Sequence, residues 1–321
     1  MRIGIDMMGG DFAPLETTLG VIQARKELDP RYRLVLIGNE PEIREIIRQH
    51  HGNETDYDFV HTDQVIGMAD HPTKAFQQNP NSSIPVGFHL LKTKKIDAFA
   101  SAGNTGAMMV GSMLSVKTIP GILRPAISSM VPKEDGGLGI ILDVGINADC
   151  KPEMIQQFAV LGAIFAESVY HIKNPKIGLV SIGEEDEKGN VLTKESHQLL
   201  RNTNGINFIG NIEGRDMFNN KADVIVCDGF TGNVMLKLAE SFHSLLLKRN
   251  IHDEYFDRFD FENFGGTPVL GVNSTVIIAH GISNAKAIKN MILLTREVIE
   301  AGLTEKISRA LNETTISELP K

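Results

Sequence analysis

Eight short segments set glycine beside Asn, Thr, Asp or Glu directly at the end of an apolar run. They are DMMGGD (Asp6–Asp11), SAGNTGA (Ser101–Ala107), DVGINAD (Asp143–Asp149), SIGEEDEKGN (Ser181–Asn190), GNIEGRD (Gly210–Asp216), CDGFTGNV (Cys227–Val234), NFGG (Asn263–Gly266) and AHG (Ala279–Gly281). Glycine lets backbone amides turn outward, and a helix that opens on such a turn directs further amides at an anion. In SAGNTGA, the turn at Gly103 and Asn104 lets Thr105 and Gly106 open a helix, with the Ser101, Asn104 and Thr105 side chains beside them. CDGFTGNV repeats the arrangement with Asp228 and Gly229, then Thr231 and Asn233. DMMGGD offers Gly9 and Gly10 between Asp6 and Asp11. The plain alternative for each is a strand-to-helix turn whose Asn or Thr only caps its helix. Eight together favour a ligand crevice.

The acids at these turns (Asp6, Asp11, Asp143, Glu184, Glu185, Glu213 and Asp228) have two readings. One is chelation of a divalent metal, although no compact spacing demands it, and the other is that they orient the lysines and amides that bind an anion. Lys151, Lys188 and Lys237 follow motif residues closely enough to serve, although a solvated surface charge explains each of them equally well. Neither a phosphate-binding G-x-x-x-x-G-K-[ST] loop nor a G-x-G-x-x-G fingerprint occurs. The G-x-S-x-G elbow and the H-E-x-x-H zinc helix are also missing. Cys150 and Cys227 stand far apart, which suits a reducing compartment better than a disulfide scaffold. A formal charge of −8 over 321 residues argues against broad nucleic-acid binding.

These turns need strands to deliver them. Apolar runs at Arg2–Met8, Arg33–Gly38, Asp97–Gly103, Leu138–Gly145, Lys176–Gly183, Asn207–Asn211, Asp223–Asp228 and Thr275–His280 predict strands. Helical periodicity covers Glu16–Leu28, Pro41–His50, Thr105–Val116, Pro152–His171, Asn233–Leu247 and Ala285–Glu300. The alternation predicts a three-layer α/β/α fold on a mostly parallel sheet, with the turns on one rim at the strand carboxyl ends. Residues 1–321 read as one large unit, bilobal about Pro120–Gly137. The segment 248–264 forms a protruding or dimer-contacting tip. No apolar run approaches the roughly 20 residues of a membrane span, and the N-terminus lacks a signal-peptide layout. A cytoplasmic protein is expected.

In their order, MGGDFAP, SAGNTGA, DVGINADCKPE, IGEEDEKGN, FIGNIEGRD, CDGFTGNV and AHG resemble the acyl-ACP:phosphate acyltransferases, the PlsX family, over almost the whole chain. The resemblance implies conversion of fatty acyl-[acyl carrier protein] and inorganic phosphate into acyl phosphate and free carrier, in bacterial phospholipid synthesis. It also implies a homodimer, and a fold similar to isocitrate and isopropylmalate dehydrogenases and phosphotransacetylase. No cofactor and no metal is expected. Phosphate is itself the nucleophile, so the enzyme needs positioning and preset donors rather than a triad. The residues expected in the transfer are Asn104, Thr105, Asp143, Asn147, Lys188, Asp228 and Asn233. Phosphate and acyl binding fall to Asp6, Gly9, Gly10, Asp11, Ser101, Gly103, Gly106, Glu185, Gly229, Thr231, Lys237, Gly265, Gly266 and His280.

Two features depart from the family pattern. Gln77, Gln78 and Asn79 stand where basic residues usually precede the Ser82–Ser83 pair, leaving Lys74 nearby. The stretch after Leu247 is short and acid-rich, with Asp253, Glu254, Asp257, Asp260 and Glu262 among its aromatics. That composition predicts packing on protein rather than insertion into a membrane, so contact with the inner membrane face, or with a membrane-bound acyltransferase partner, would be weak. An acidic carrier would be met by a local basic patch such as Lys92–Lys95, or by Lys286 and Lys289. The alternatives on the same architecture are a phosphotransacetylase-like enzyme for a small acyl thioester and a non-catalytic scaffold for the carrier.

Overall fold

The structure, a computed structural model, describes residues 1–317. In chain order the principal elements are β1 (Arg2–Asp6), α1 (Leu15–Glu27), β2 (Arg33–Gly38), α2 (Glu40–Gln49), β3 (Tyr57–His61), α3 (Pro72–Gln78), α4 (Ser83–Lys92), β4 (Ala98–Ser101) and α5 (Thr105–Gly111). Then come β5 (Ala126–Pro132), β6 (Leu138–Leu142), α6 (Pro152–Val169), β7 (Lys176–Val180), α7 (Val191–Arg201), β8 (Asn207–Ile212), β9 (Val224–Val226) and α8 (Gly229–Lys248). The last are β10 (Thr267–Leu270), β11 (Thr275–Ile278), α9 (Ala285–Glu300) and α10 (Leu303–Ser317). This is the mostly parallel α/β architecture that the alternating patterns predict.

The chain folds into two compact units, the first made of Met1–Ile119 with Phe261–Glu300. Its strands run in the order β3-β2-β1-β4-β11-β10, all parallel except β10, which is antiparallel to β11. RIGID and AFAS are buried almost throughout, as parallel strands covered on both faces must be. Helix α4 packs on β1 and β4, and α9 on β4 and β11. The register pairs Ile5 with Ala100 and Ser101 with Ile278. Asp6, Ser101 and Ile278 therefore end side by side, and their three turns leave the sheet together.

The second unit comprises Pro120–Asp260 and the stretch from Ala301. Its order is β5-β6-β9-β7-β8, parallel except for β5 against β6. Leu142 pairs with Val226, Val226 with Leu179, and Val180 with Ile212, so four strands end in register. Helix α8 opens at Gly229, one turn earlier than the pattern from Asn233 predicts, because Asp228 caps it by accepting the Thr231 amide at 2.9 Å.

The acid-rich stretch after α8 packs on this unit. The Tyr255 hydroxyl donates to the Pro132 carbonyl at 3.2 Å, and the Arg258 guanidinium donates to the carbonyls of Lys133 and Gly136 at 3.0 and 2.8 Å. Phe259 meets Phe218 edge-on with ring centroids 5.3 Å apart. Among the described residues, no helix is long and apolar enough to cross a membrane.

Candidate active site

In the first unit, Asp6 forms the base of the rim. Its carboxylate is 1% exposed, accepts the Ser101 hydroxyl at 2.6 Å and the Met8 amide at 3.0 Å, and Ser101 Oγ in turn accepts the Gly103 amide at 2.9 Å. Asp6 thus fastens the β1 turn to the β4 turn from below. Gly9 is required by the same closeness. A Cβ there would lie 2.6 Å from the Gly103 nitrogen and 2.4 Å from the Asp6 carboxylate. The third turn joins through the Asp11 amide, which donates to the Gly281 carbonyl at 2.7 Å. Asp11 and Gly281, which are 270 positions apart in sequence, are so brought together.

Asn104 is fully engaged inside this unit. Its Oδ1 accepts the Ala107 amide at 2.9 Å as the cap of α5, and its Nδ2 donates to the carbonyls of Gly67 and Asp70 at 3.0 and 3.1 Å. Both polar ends of the Asn104 carboxamide thus have partners within this unit. Thr105 is exposed at the first helical position, and the amides of Thr105 and Gly106 have no intrahelical acceptor.

Burial raises the Asp6 carboxyl above its ordinary range, with the Ser101 hydroxyl bond pulling the other way. An acid raised in the folded state holds its proton better folded than unfolded. Its stabilising part is complete below the ordinary aspartate range and is lost as pH rises through the folded value. Asp6→Asn removes that ionisation. The stability difference, wild type minus variant, is therefore expected to decrease as pH climbs from the ordinary aspartate range upward, in urea melts taken across pH. A difference that increases with pH would contradict the assignment.

The second unit repeats the design around Asp143, which is wholly buried. Its Oδ1 accepts the amides of Val144 and Ile127 at 2.9 and 3.2 Å. Its Oδ2 accepts the Asn147 amide at 2.6 Å, the Asn147 side chain at 2.9 Å and the Ile146 amide at 3.2 Å. Asn147 also donates to the Pro125 carbonyl at 2.9 Å. Helix α8 then docks on this loop: the Gly229 amide donates to the Asn147 carbonyl at 2.7 Å, and a Cβ on Gly232 would lie 2.0 Å from the Asp143 carbonyl oxygen. Asp143 and Asn147 order the loop rather than present free groups. Both Asp228 oxygens are taken by the Thr231 amide and hydroxyl, at 2.9 and 2.8 Å. The Asp228 carboxylate thus occupies the positive end of α8.

The remaining expected residues divide by exposure. Asn233 and Lys188 are exposed, and Lys237 is exposed and pairs with Glu240 at 2.6 Å. Glu185 lies on the exposed β7 turn with Lys188, whose amide donates to the Glu185 carbonyl at 3.0 Å. Gly265 is buried against α9, where a Cβ would fall 2.2 Å from the Met291 nitrogen, and one on Gly266 would fall 2.7 Å from the Ile278 carbonyl. Both serve packing. Lys94 and Lys95 are exposed before the start of β4, the end opposite the glycine turns, while Lys289 pairs with Glu27 at 3.0 Å.

Sequence reasoning passed over His197 and Asn211, both buried next to the Lys188 loop. The available signals were a histidine on the buried stripe of an amphipathic helix and an asparagine at a strand end. Neither thiol is fit to attack: burial pushes Cys150 up to about 11 and Cys227 well above its ordinary value.

A family model described as "Fatty acid synthesis protein" matches residues 1–248 and 238–306. The chain belongs to this family. Curated relatives named "Phosphate acyltransferase" include one from Dictyoglomus turgidum, 43% identical over 98% of this chain and 99% of its own. Another, from Desulforamulus reducens, is 41% identical over 97% of each. Among solved structures, a phosphotransacetylase from Streptococcus pyogenes aligns over 94% of both chains with a TM-score of 0.66 at 17% identity. The EutD phosphotransacetylase from Staphylococcus aureus aligns with a TM-score of 0.64 at 16% identity. At such identities the likeness is one of fold.

Proposed function

We propose that this chain is a phosphate acyltransferase that moves a fatty acyl group from the thioester of acyl carrier protein to inorganic phosphate, supplying acyl phosphate for phospholipid synthesis. The observation that carries the reading is the first unit's rim, where buried Asp6 fastens two glycine turns beneath the opening of α5 and the Asp11 amide ties the third to them. That arrangement leaves outward donors without a nucleophilic side chain. A phosphate oxygen attacks the thioester carbonyl carbon, whose π electrons move to oxygen. The intermediate collapses by breaking the C–S bond, and the proton carried by phosphate ends on the departing thiol. Near neutral pH the parent thiol pKa of about 8.5 makes that protonation helpful but not essential.

In this reading Thr105, with the Thr105 and Gly106 amides, receives phosphate. Lys188, an exposed cation on the β7 turn of the second unit, is a further residue proposed to act in acyl transfer. Thr105→Val keeps the shape and removes the hydroxyl. We expect it to lower turnover at least about tenfold, roughly 1.4 kcal/mol of transition-state stabilisation, in a variant of unchanged circular dichroism. Unaltered kinetics would reduce the motif to a turn. Comparing kcat/KM for acyl carrier protein and for a short acyl-coenzyme A thioester separates this function from the small-thioester alternative, which requires the short substrate to win.

The proposed homodimer has support of its own. Helix α8 is 20 residues long, yet only Gly229, Gly232 and Ala239 are buried on it. Phe230, Val234, Leu238, Phe242 and Leu245 recur at helical spacing and are all exposed, Phe230 at 67% and Leu238 at 57%. A continuous apolar stripe of this kind is normally covered, and a second copy of the same helix would cover it by two-fold symmetry. Light scattering after size exclusion is expected to give twice the chain mass for wild type and a single chain mass for Leu238→Lys/Phe242→Lys. A monomeric wild type would contradict the proposal.

A further inference from the structure

The β7 turn carrying Glu185 and Lys188 is long and mostly exposed, yet one buried side chain reaches into it from beneath. His197 lies on α7 and is 3% exposed. Its Nδ1 lies 2.9 Å from Asn211 Oδ1 on β8, and its Nε2 lies 3.2 Å from Asp186 Oδ1 in the turn. The network fixes the orientation of Asn211, because its Nδ2 donates to the backbone carbonyl of Glu185 at 2.8 Å. Its Oδ1 is therefore the atom facing His197, and Nδ1 must be the donor. The imidazole also meets Phe208 edge-on, with centroids 5.2 Å apart, which fixes the ring plane. Arg201, one turn along α7, closes on the other Asp186 oxygen at 2.6 Å. Within the turn, the Ser181 hydroxyl donates to the Lys188 carbonyl at 3.1 Å.

Glu185, Asp186 and Lys188 are thus tied to a rigid strand and helix through His197 and Asn211, while Asp186 and Arg201 are about half exposed or more. An exposed Asp186–Arg201 pair alone contributes little to holding a loop. A buried imidazole bonded on both sides differs, since freeing the loop would leave a buried polar atom without a partner. We infer that His197 is a positioning residue: acting through Asp186 and Asn211, it holds the turn that presents Lys188 in the geometry needed for acyl transfer. This rests on the proposed role of Lys188. It predicts a penalty on turnover rather than on substrate affinity, because a displaced cation loses its effect on charge that develops in the transition state.

The test uses the full chain with His197→Ala, Asp186→Ala, the double variant and His197→Gln. Each single alanine variant is expected to lower kcat about tenfold with little change in KM for either substrate. The double variant should be no worse than the singles, as expected for groups acting as one unit. His197→Gln, whose amide can reach Asp186, should recover part of the loss. Hydrogen–deuterium exchange should quicken over 182–189 in His197→Ala while β6 and α6 keep their protection. Independent, multiplicative losses, or unchanged kcat in folded variants, would overturn the inference. Lys188→Ala separates the layers: full activity there would overturn the reading of the loop. An impaired Lys188→Ala alongside unchanged exchange in His197→Ala would overturn the clamp alone.

Discussion

Asp143→Ala is expected to destabilise the protein by about 4 kcal/mol or more, among the largest effects of any single substitution in the second unit. The carboxylate is the common acceptor for four backbone amides and the Asn147 side chain. Alanine leaves them without an acceptor, and each donor that water cannot reach costs about 1–3 kcal/mol. A thermal midpoint lower by roughly 10 °C should follow. Asp143→Asn turns an NH2 group toward at least one of these donors and is expected to lose a large share as well. Burial raises the Asp143 carboxyl above its ordinary range, and the Asn147 amide bond opposes that shift. The group's role is therefore to organise donors, at some cost of desolvation. A midpoint within 2 °C of wild type in Asp143→Ala, read by calorimetry, would contradict this account.

Gly9→Ala is expected to reduce kcat/KM on the order of a hundredfold while leaving most of the stability intact. The added methyl would stand 2.6 Å from the Gly103 nitrogen and 2.9 Å from its Cα. These are backbone atoms at the end of a buried strand and cannot swing aside, so the two turns must move apart. A displacement of about 1 Å between groups that position a reactant can cost that much in rate. Steady-state kinetics, with circular dichroism as the control for folding, check it. Activity within threefold of wild type would mean that the closeness of the two turns is incidental.

The strands that deliver the turns were legible because RIGID, RLVLIG and DAFAS are largely apolar runs with a glycine at their end or within three residues after it. The strand YDFVH (Tyr57–His61) was not, since polar residues alternate in it, nor was Ala126–Pro132, where Ser128 and Ser129 interrupt the run beside Pro125. Helix α7 escaped notice because its buried stripe is Ser196, His197 and Leu200, mostly polar by type. Within the site, the sequence located the turns, and their chemistry implied amides and anions. What it could not assign was direction. Asn104 and Asn147 look like donors to a ligand, yet their carboxamides close loops within their own unit. Asp6 and Asp143 look like rim acids, yet both lie beneath the rim. Side-chain direction depends on partners such as the Gly67 and Pro125 carbonyls, which the local spacing does not reveal.

The central claim is acyl transfer to phosphate, and following purified protein with acyl carrier protein bearing a fatty acyl thioester and radiolabelled inorganic phosphate tests it most directly. The account predicts labelled acyl phosphate and free carrier in equal amounts, with thioester loss that depends on phosphate and slows in Thr105→Val. Carrier binding without turnover, or turnover of short acyl thioesters alone, would contradict it.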